Sequence, residues 1–210
     1  MSGPPTLLVA TTNPGKLREI RALMSDAPVH LIGLSDIPPI AEPEETGSTF
    51  EENARLKATY YAAQSGLWTV AEDSGLVVDA LGGEPGVFSA RFLRPDASYG
   101  ERFAEIFRRL NAQPNQSRTA RFVAALASAD RDHVVYETTG VVEGEIADAP
   151  KGSGGFGYDP IFFYPPYGST LAEVSEPEKI AVAHRGVAFR KFSEWLKGLP
   201  RASEASRGER

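Results

Sequence analysis

Two runs late in the chain set the terms for the rest of the fold. "TARFVAALASA", residues 119–129, and "HVVYETTGVVEGEI", residues 133–146, are rich in β-branched, aromatic and small apolar residues and are separated only by "DRD". Such runs across a short polar turn predict a long antiparallel pair of strands. The pattern ahead of them differs. Residues 7–11 form an apolar run that reads as a buried strand. Residues 14–25 carry Leu17, Ile20, Leu23 and Met24 on one helical face, and "VHLIGL" reads as a second short strand. Strand–helix–strand units first and a hairpin later predict an α/β chain with a mixed sheet.

The remaining pattern fills in this plan. "SDIPPIAEPEETG" is a Pro- and Glu-rich loop. Residues 48–66 read as a helix with Phe50, Ala54, Ala58, Tyr61 and Ala62 on its apolar face, and Thr49 and Glu52 stand at capping-box spacing. "LWTVAEDSGLVVDA" reads as a strand, an interruption and a second strand. Residues 98–110 read as a helix, "IFFY" as a strand, and 170–197 as helix with a break. The polar end, 199–210, lacks periodicity and is expected to be a disordered tail, leaving 1–198 as one domain.

Composition removes several function classes. A net charge of −6 argues against a non-specific grip on nucleic acid. The chain has no Cys, so it offers no disulfide, thiolate metal site or thiol nucleophile. No apolar run approaches the ~20 residues that span a bilayer, and the N-terminus lacks the apolar core of a signal peptide. A cytoplasmic protein without membrane partners is the expectation.

Five segments could carry chemistry. In "TTNPGK", Thr11 to Lys16, Asn13 and Pro14 have the form of a helix cap and first turn. The amides of Gly15 and Lys16 would then face an anion at the helix start, and Lys16 adds a full charge; a merely capped helix fits the same letters. In "AEDSG", Glu72, Asp73 and Ser74 follow an apolar strand, where α/β sheets place ligands. Paired carboxylates there suit magnesium, and an Asx turn is the plainer alternative. Glu42, Glu44 and Glu45 add carboxylates before the long helix, and Asn53 and Lys57 share one of its polar faces, where a solvated lysine is the usual occupant. "GGFGYDP" alternates aromatics with glycines, so Phe156 and Tyr158 either stack on a planar heterocycle beside Asp159 or fill the core. Lys179, His184 and Arg185 would meet one ligand only if their helix breaks between Ala183 and Gly186.

Together and in this order, these segments resemble the inosine/xanthosine triphosphate pyrophosphatase family, from about residue 7 to 196. The resemblance implies a two-lobed α/β fold around a long mixed sheet with the ligand in the cleft between lobes. It implies a homodimer, magnesium dependence, and hydrolysis of non-standard purine nucleoside triphosphates to monophosphate and pyrophosphate. By resemblance, Thr11, Thr12, Asn13, Pro14, Gly15 and Lys16 hold phosphate. Glu44 and Asp73 bind magnesium, Asp73 also accepts a proton, and Glu72 assists at the metal. Lys57 faces the phosphates, and Ser74, Phe156, Gly157, Tyr158, Asp159, Lys179, His184 and Arg185 contact substrate. Three positions depart from the family pattern. Thr12 replaces a glycine and so requires an ordinary backbone conformation. Glu72 replaces an aspartate. Ala183 replaces a serine that could cap the following helix. A pyrophosphatase for another modified nucleotide and a non-catalytic nucleotide sensor are the alternatives.

Overall fold

The computed structural model describes residues 3–112 and 117–200. Its strands are β1 (Thr6–Val9), β2 (His30–Gly33), β3 (Trp68–Val78), β4 (Thr119–Asp130), β5 (His133–Ile146), β6 (Phe162–Tyr164) and β7 (Ser169–Thr170). They form one sheet in the order β2-β1-β3-β4-β5-β6-β7. β1 pairs parallel with β2 and β3, and the other neighbours pair antiparallel. This is the α/β mixed sheet that the pattern predicts, with the 119–146 hairpin at its centre. Of the predicted tail, 201–210 lies outside the described residues.

β3 departs from expectation. It shows no interruption at "EDSG" but runs unbroken for 11 residues. β4 pairs with every residue from Thr69 to Val78, and this ladder keeps the segment extended. β1 is much shorter. It meets β3 only at Trp68, Thr69 and Val70, and the Ala10 amide adds one bond to the Val70 carbonyl at 2.9 Å. Between Ala71 and Ser74, β3 therefore has a partner strand on one side only.

Helices cover both faces. The helix α1 (Pro14–Leu23) starts as read: the Asn13 side chain accepts from Gly15 and Lys16, with Pro14 at the first position. The helix α2 (Phe50–Ser65) buries the five predicted apolar residues, and Thr49 caps it by accepting from the Glu52 amide at 3.1 Å. The helix α3 (Tyr99–Asn111) carries a capping box between Ser98 and Glu101. Near the C-terminus, α4 (Glu176–Val182) and α5 (His184–Lys197) are separated at Ala183, whose ψ of 147° is extended. The expected break thus falls at Ala183, and Gly186 lies inside α5. Ala183 gives α5 no side-chain cap, as its missing hydroxyl predicts. A tight contact seats α5 on the sheet: a Cβ on Gly140 would stand 2.1 Å from the His184 carbonyl oxygen.

Residues alternate between the faces of β3. On one face Val70 packs with Leu7, Val9, Ala124, Leu126, Phe189 and Phe192 beneath α1 and α5. Further along the same face, Leu76 and Val78 pack with Phe103, Ile106 and Phe122 beneath α3. On the opposite face Ala71 packs with Ala54, Ala58, Ala125 and Ala127 beneath α2. A cleft opens on the first face, between its two cores.

Candidate active site

Because Glu72 and Asp73 are consecutive on a strand, they serve different faces. Asp73 points towards α2. Its Oδ2 accepts from Asn53 Nδ2 at 3.1 Å and its Oδ1 from Lys57 Nζ at 3.1 Å. Asn53 is fully buried and its own Oδ1 accepts from the Gly47 amide, which ties the acidic loop to the helix. Lys57 is also buried, not solvated, and its ammonium reaches Glu45 Oε1 at 2.7 Å. Burial acts against the charge on Lys57, but Asp73 and Glu45 outweigh it and hold its pKa above the ordinary value. Glu44 is exposed and makes no hydrogen bond or ion pair among the described residues. Of the two neighbours, Glu45 is the one built into the cluster.

Glu72 points the other way, so it does not share a site with Asp73. Its carboxylate accepts a forked pair of bonds from Arg185 Nε at 2.9 Å and Nη2 at 2.8 Å, and Lys16 Nζ lies 3.0 Å away. Burial alone would raise its pKa, but Arg185 and Lys16 together hold it far below the usual carboxylate range. A carboxylate so engaged orients Arg185 and Lys16. The expected help of Glu72 at a metal would require its oxygens to act while held by Arg185 and Lys16.

Sequence reasoning missed Glu19. It lies on α1, 3% exposed, and its two oxygens bind Lys179 Nζ at 2.9 Å and Arg185 Nη1. Lys179 also reaches Asp159 Oδ2 at 2.7 Å. Three acids, Glu19, Glu72 and Asp159, thus balance three cations, Lys16, Lys179 and Arg185. The only sequence signal for Glu19 is its place three residues after Lys16, on the same side of α1.

The cleft above this network is lined by Asn13, Lys16, Ser74, Tyr158, Lys179, His184 and Arg185, with Phe156 over the cations. The Phe156 ring centre is 4.4 Å from Lys179 Nζ and 5.5 Å from Arg185 Cζ. Tyr158 follows the other option for its loop: it is buried in the core and donates to the Ser89 carbonyl at 2.9 Å. Asp159 is turned inwards, accepting from the Phe156 amide at 2.8 Å. His184 stacks on Phe122 with ring centres 4.9 Å apart, and its buried Nδ1 has no hydrogen-bond partner among the described residues. Burial, with Arg185 close by, holds His184 well below its ordinary pKa, so it is neutral at pH 7.

The "TTNPGK" turn also needs correction. The Gly15 and Lys16 amides are not free for an anion, because Asn13 Oδ1 takes both, at 2.9 and 3.1 Å. The glycine instead leaves room for Phe156: a Cβ on Gly15 would stand 3.2 Å from Phe156 Cδ1. Positive φ among described non-glycine residues is confined to Leu93 and Arg131, so Thr12 has the ordinary backbone that its side chain requires. Thr11 Oγ1 accepts from the Asn13 amide at 3.2 Å, and Thr12 and Pro14 are exposed beside it.

A model of the Ham1 family matches residues 7–195. The chain belongs to the Ham1 family. Among curated Ham1 relatives, the dITP/XTP pyrophosphatase of Geobacter sulfurreducens is 46% identical over 190 residues, covering 90% of this chain and 96% of that protein. One from Thermus thermophilus is 44% identical over 203 residues, covering 97% of each. Among solved structures, a HAM1 protein from Coxiella burnetii superposes with a TM-score of 0.85 at 39% identity, covering 93% of this chain and all of that one. The family, and the α/β architecture around a long mixed sheet, are therefore those that the five motifs imply.

Proposed function

We propose that this Ham1 chain is a pyrophosphatase for non-standard purine nucleoside triphosphates, cleaving ITP, dITP and XTP to the monophosphate and pyrophosphate. It would act in the cytoplasm as a homodimer, with residues 1–198 as its working domain. The observation that carries the reading is the pairing of two unlike charged clusters across the one-sided stretch of β3. One holds Lys179, His184 and Arg185 beneath an aromatic ring, and the other holds Asp73 against Lys57. The relatives' printed activity, dITP/XTP pyrophosphatase, supports the same substrates.

Base selection follows from donors. An ammonium has three donors, and Lys179 spends two on Glu19 and Asp159, which leaves one for a ring carbonyl. Inosine and xanthosine carry a carbonyl at ring carbon six, where adenosine carries an amine. A buried donor facing an amine costs about 1–3 kcal/mol, and rejection compounds when several donors converge. Phe156 offers its ring to the base, and Ser74, Gly157 and Tyr158 border the same cleft.

On the other face, each oxygen of Asp73 has given one lone pair to a protein donor and keeps another. Asp73 can therefore take the proton of a water directed at the α-phosphorus. Lys57 and Lys16 are placed to absorb phosphate charge from the two sides of the strand. Asp73 and Glu44 offer carboxylate oxygens only, the donors that magnesium prefers. Magnesium typically sits between one or two carboxylates and substrate phosphates, so these residues would hold it together with the triphosphate. When bound, magnesium would supply charge neutralisation at the phosphate oxygens.

The test is pyrophosphate release with magnesium over a panel of ITP, dITP, XTP, GTP and ATP. We expect kcat/KM for ITP and XTP to exceed that for ATP by at least about tenfold, the yield of a single mismatched donor. Equal values for ITP and ATP would overturn the donor argument, and no release from any of them would overturn the enzyme.

A further inference from the structure

A 3-10 turn at Gly86–Arg91 reaches both the base-side cleft and the Asp73-side charge cluster. Its Ser89 is buried and bonded to β3, with Oγ accepting from the Leu76 amide at 2.9 Å and donating to the Gly86 carbonyl at 2.6 Å. Ser89 and Ala90 line the base-side cleft. Arg91 turns the other way. Its Nη1 binds Glu45 Oε2 at 2.9 Å, while the other oxygen of Glu45 binds Lys57 Nζ at 2.7 Å, and Lys57 in turn binds Asp73 at 3.1 Å. The Arg91 guanidinium also lies over the Phe88 ring, 5.0 Å from its centre. The result is an unbroken chain of charged contacts, Arg91–Glu45–Lys57–Asp73, that starts on a turn fixed to the sheet and ends at the carboxylate of the proposed reaction.

We propose that Arg91 is a positioning residue: it holds Glu45 against Lys57 and so aims the lysine ammonium at Asp73 and the reacting phosphates. Glu45 sits in a loop with no regular structure between Ile37 and Thr49, and a carboxylate on such a loop needs a second anchor to keep one orientation. Arg91 supplies it, because each Glu45 oxygen has its own cation. The role rests on the pyrophosphatase reading for its catalytic consequence, but the contact chain itself does not.

Two measurements test it. In steady-state kinetics with ITP, Arg91→Met lowers kcat about tenfold and leaves KM within about twofold, because the interaction it disturbs strengthens as charge develops on the phosphates. Arg91→Lys restores most of the loss. Glu45→Gln behaves alike, and the double variant is no worse than the weaker single one, since the two act through one another. The ITP to ATP preference stays unchanged, as the base-side cleft is untouched. The second measurement needs no turnover: amine acylation of the purified protein, read at Lys57 by mass spectrometry. Lys57 is shielded in the wild type, with its side chain 11% exposed. Its labelling rises several-fold in Arg91→Met and Glu45→Gln and returns in Arg91→Lys. Unchanged Lys57 labelling in Arg91→Met, or multiplicative losses in the double variant, would overturn the proposal. If no triphosphate is turned over, the function reading fails while the labelling still decides the role of Arg91.

Discussion

The two faces of β3 handle charge in opposite ways. On the Glu72 face, acids and cations are buried together: Glu19, Glu72, Asp159, Lys179 and Arg185 are each under a tenth exposed and paired with one another. On the Asp73 face the cluster is smaller, and its outer members, Glu45 and Arg91, keep a quarter and a third of their side-chain surface in solvent. The buried side has the properties of a template, since buried pairs resist rearrangement and fix donor directions. The open side has the properties of a working site, because its groups can exchange partners with an incoming anion and its cation. A single strand separates these two environments.

The largest effect that can break this contrast comes from Asp73→Asn. Asparagine keeps the bond from Lys57 but cannot take a proton, and its amide faces the Asn53 donor, so kcat should fall on the order of 10³-fold while the fold loses only about 1–3 kcal/mol and the ITP to ATP preference holds. A purified Asp73→Asn protein with near-normal turnover would remove the working side from the chemistry. Next comes Arg185→Met on the buried side. It strands Glu19 and Glu72 in a buried site, and the fold should lose about 3–5 kcal/mol in denaturant titration. Lys57→Met should cost less, because Glu45 can turn to water and only Asp73 is left buried without its cation. Equal costs would erase the distinction between the faces.

The smallest effect is a pH dependence from His184. Its folded pKa is depressed, so the folded state favours the neutral ring, while the unfolded ring titrates near its ordinary 6.5. Below that value the unfolded chain binds a proton that the folded chain refuses, and stability falls as pH falls. The slope approaches about 1.4 kcal/mol per pH unit for this one group once the unfolded ring is protonated, and it levels off at the folded pKa. Denaturant midpoints at pH 7.5 and 5.5 measure it, and His184→Gln should flatten the difference.

The fold was legible wherever the determinants are local. The Asn13–Pro14 start of α1, the Thr49 cap of α2 and the hairpin across Arg131 and Asp132 each rest on residues a few positions apart. The site was legible as a set of residues but not as an arrangement. "EDSG" reads as a break because carboxylates are poor strand residues in isolation. It continues as strand because Arg185 arrives from 113 positions away to neutralise Glu72, and Lys57 from 16 to hold Asp73. Glu19 was silent for the same reason: its partners lie 160 and 166 positions along the chain. The amides of "TTNPGK" were misjudged differently, since the letters that mark a cap do not say that the cap consumes the donors a phosphate would use.

The early end of β1 has a consequence for how such a chain can change. After Val9 the polypeptide leaves the sheet, and β3 carries on alone past Glu72 and Asp73. Two more residues of pairing would run a backbone ladder along that margin and wall the template off from the working site. On the proposed reading, substitutions on one face of β3 leave the other face standing, so base preference can drift while cleavage is kept. The segment between Val9 and Pro14 differs in kind: it joins the end of β1 to the start of α1, the helix that carries Lys16 and Glu19, so a change of its length bears on both faces at once.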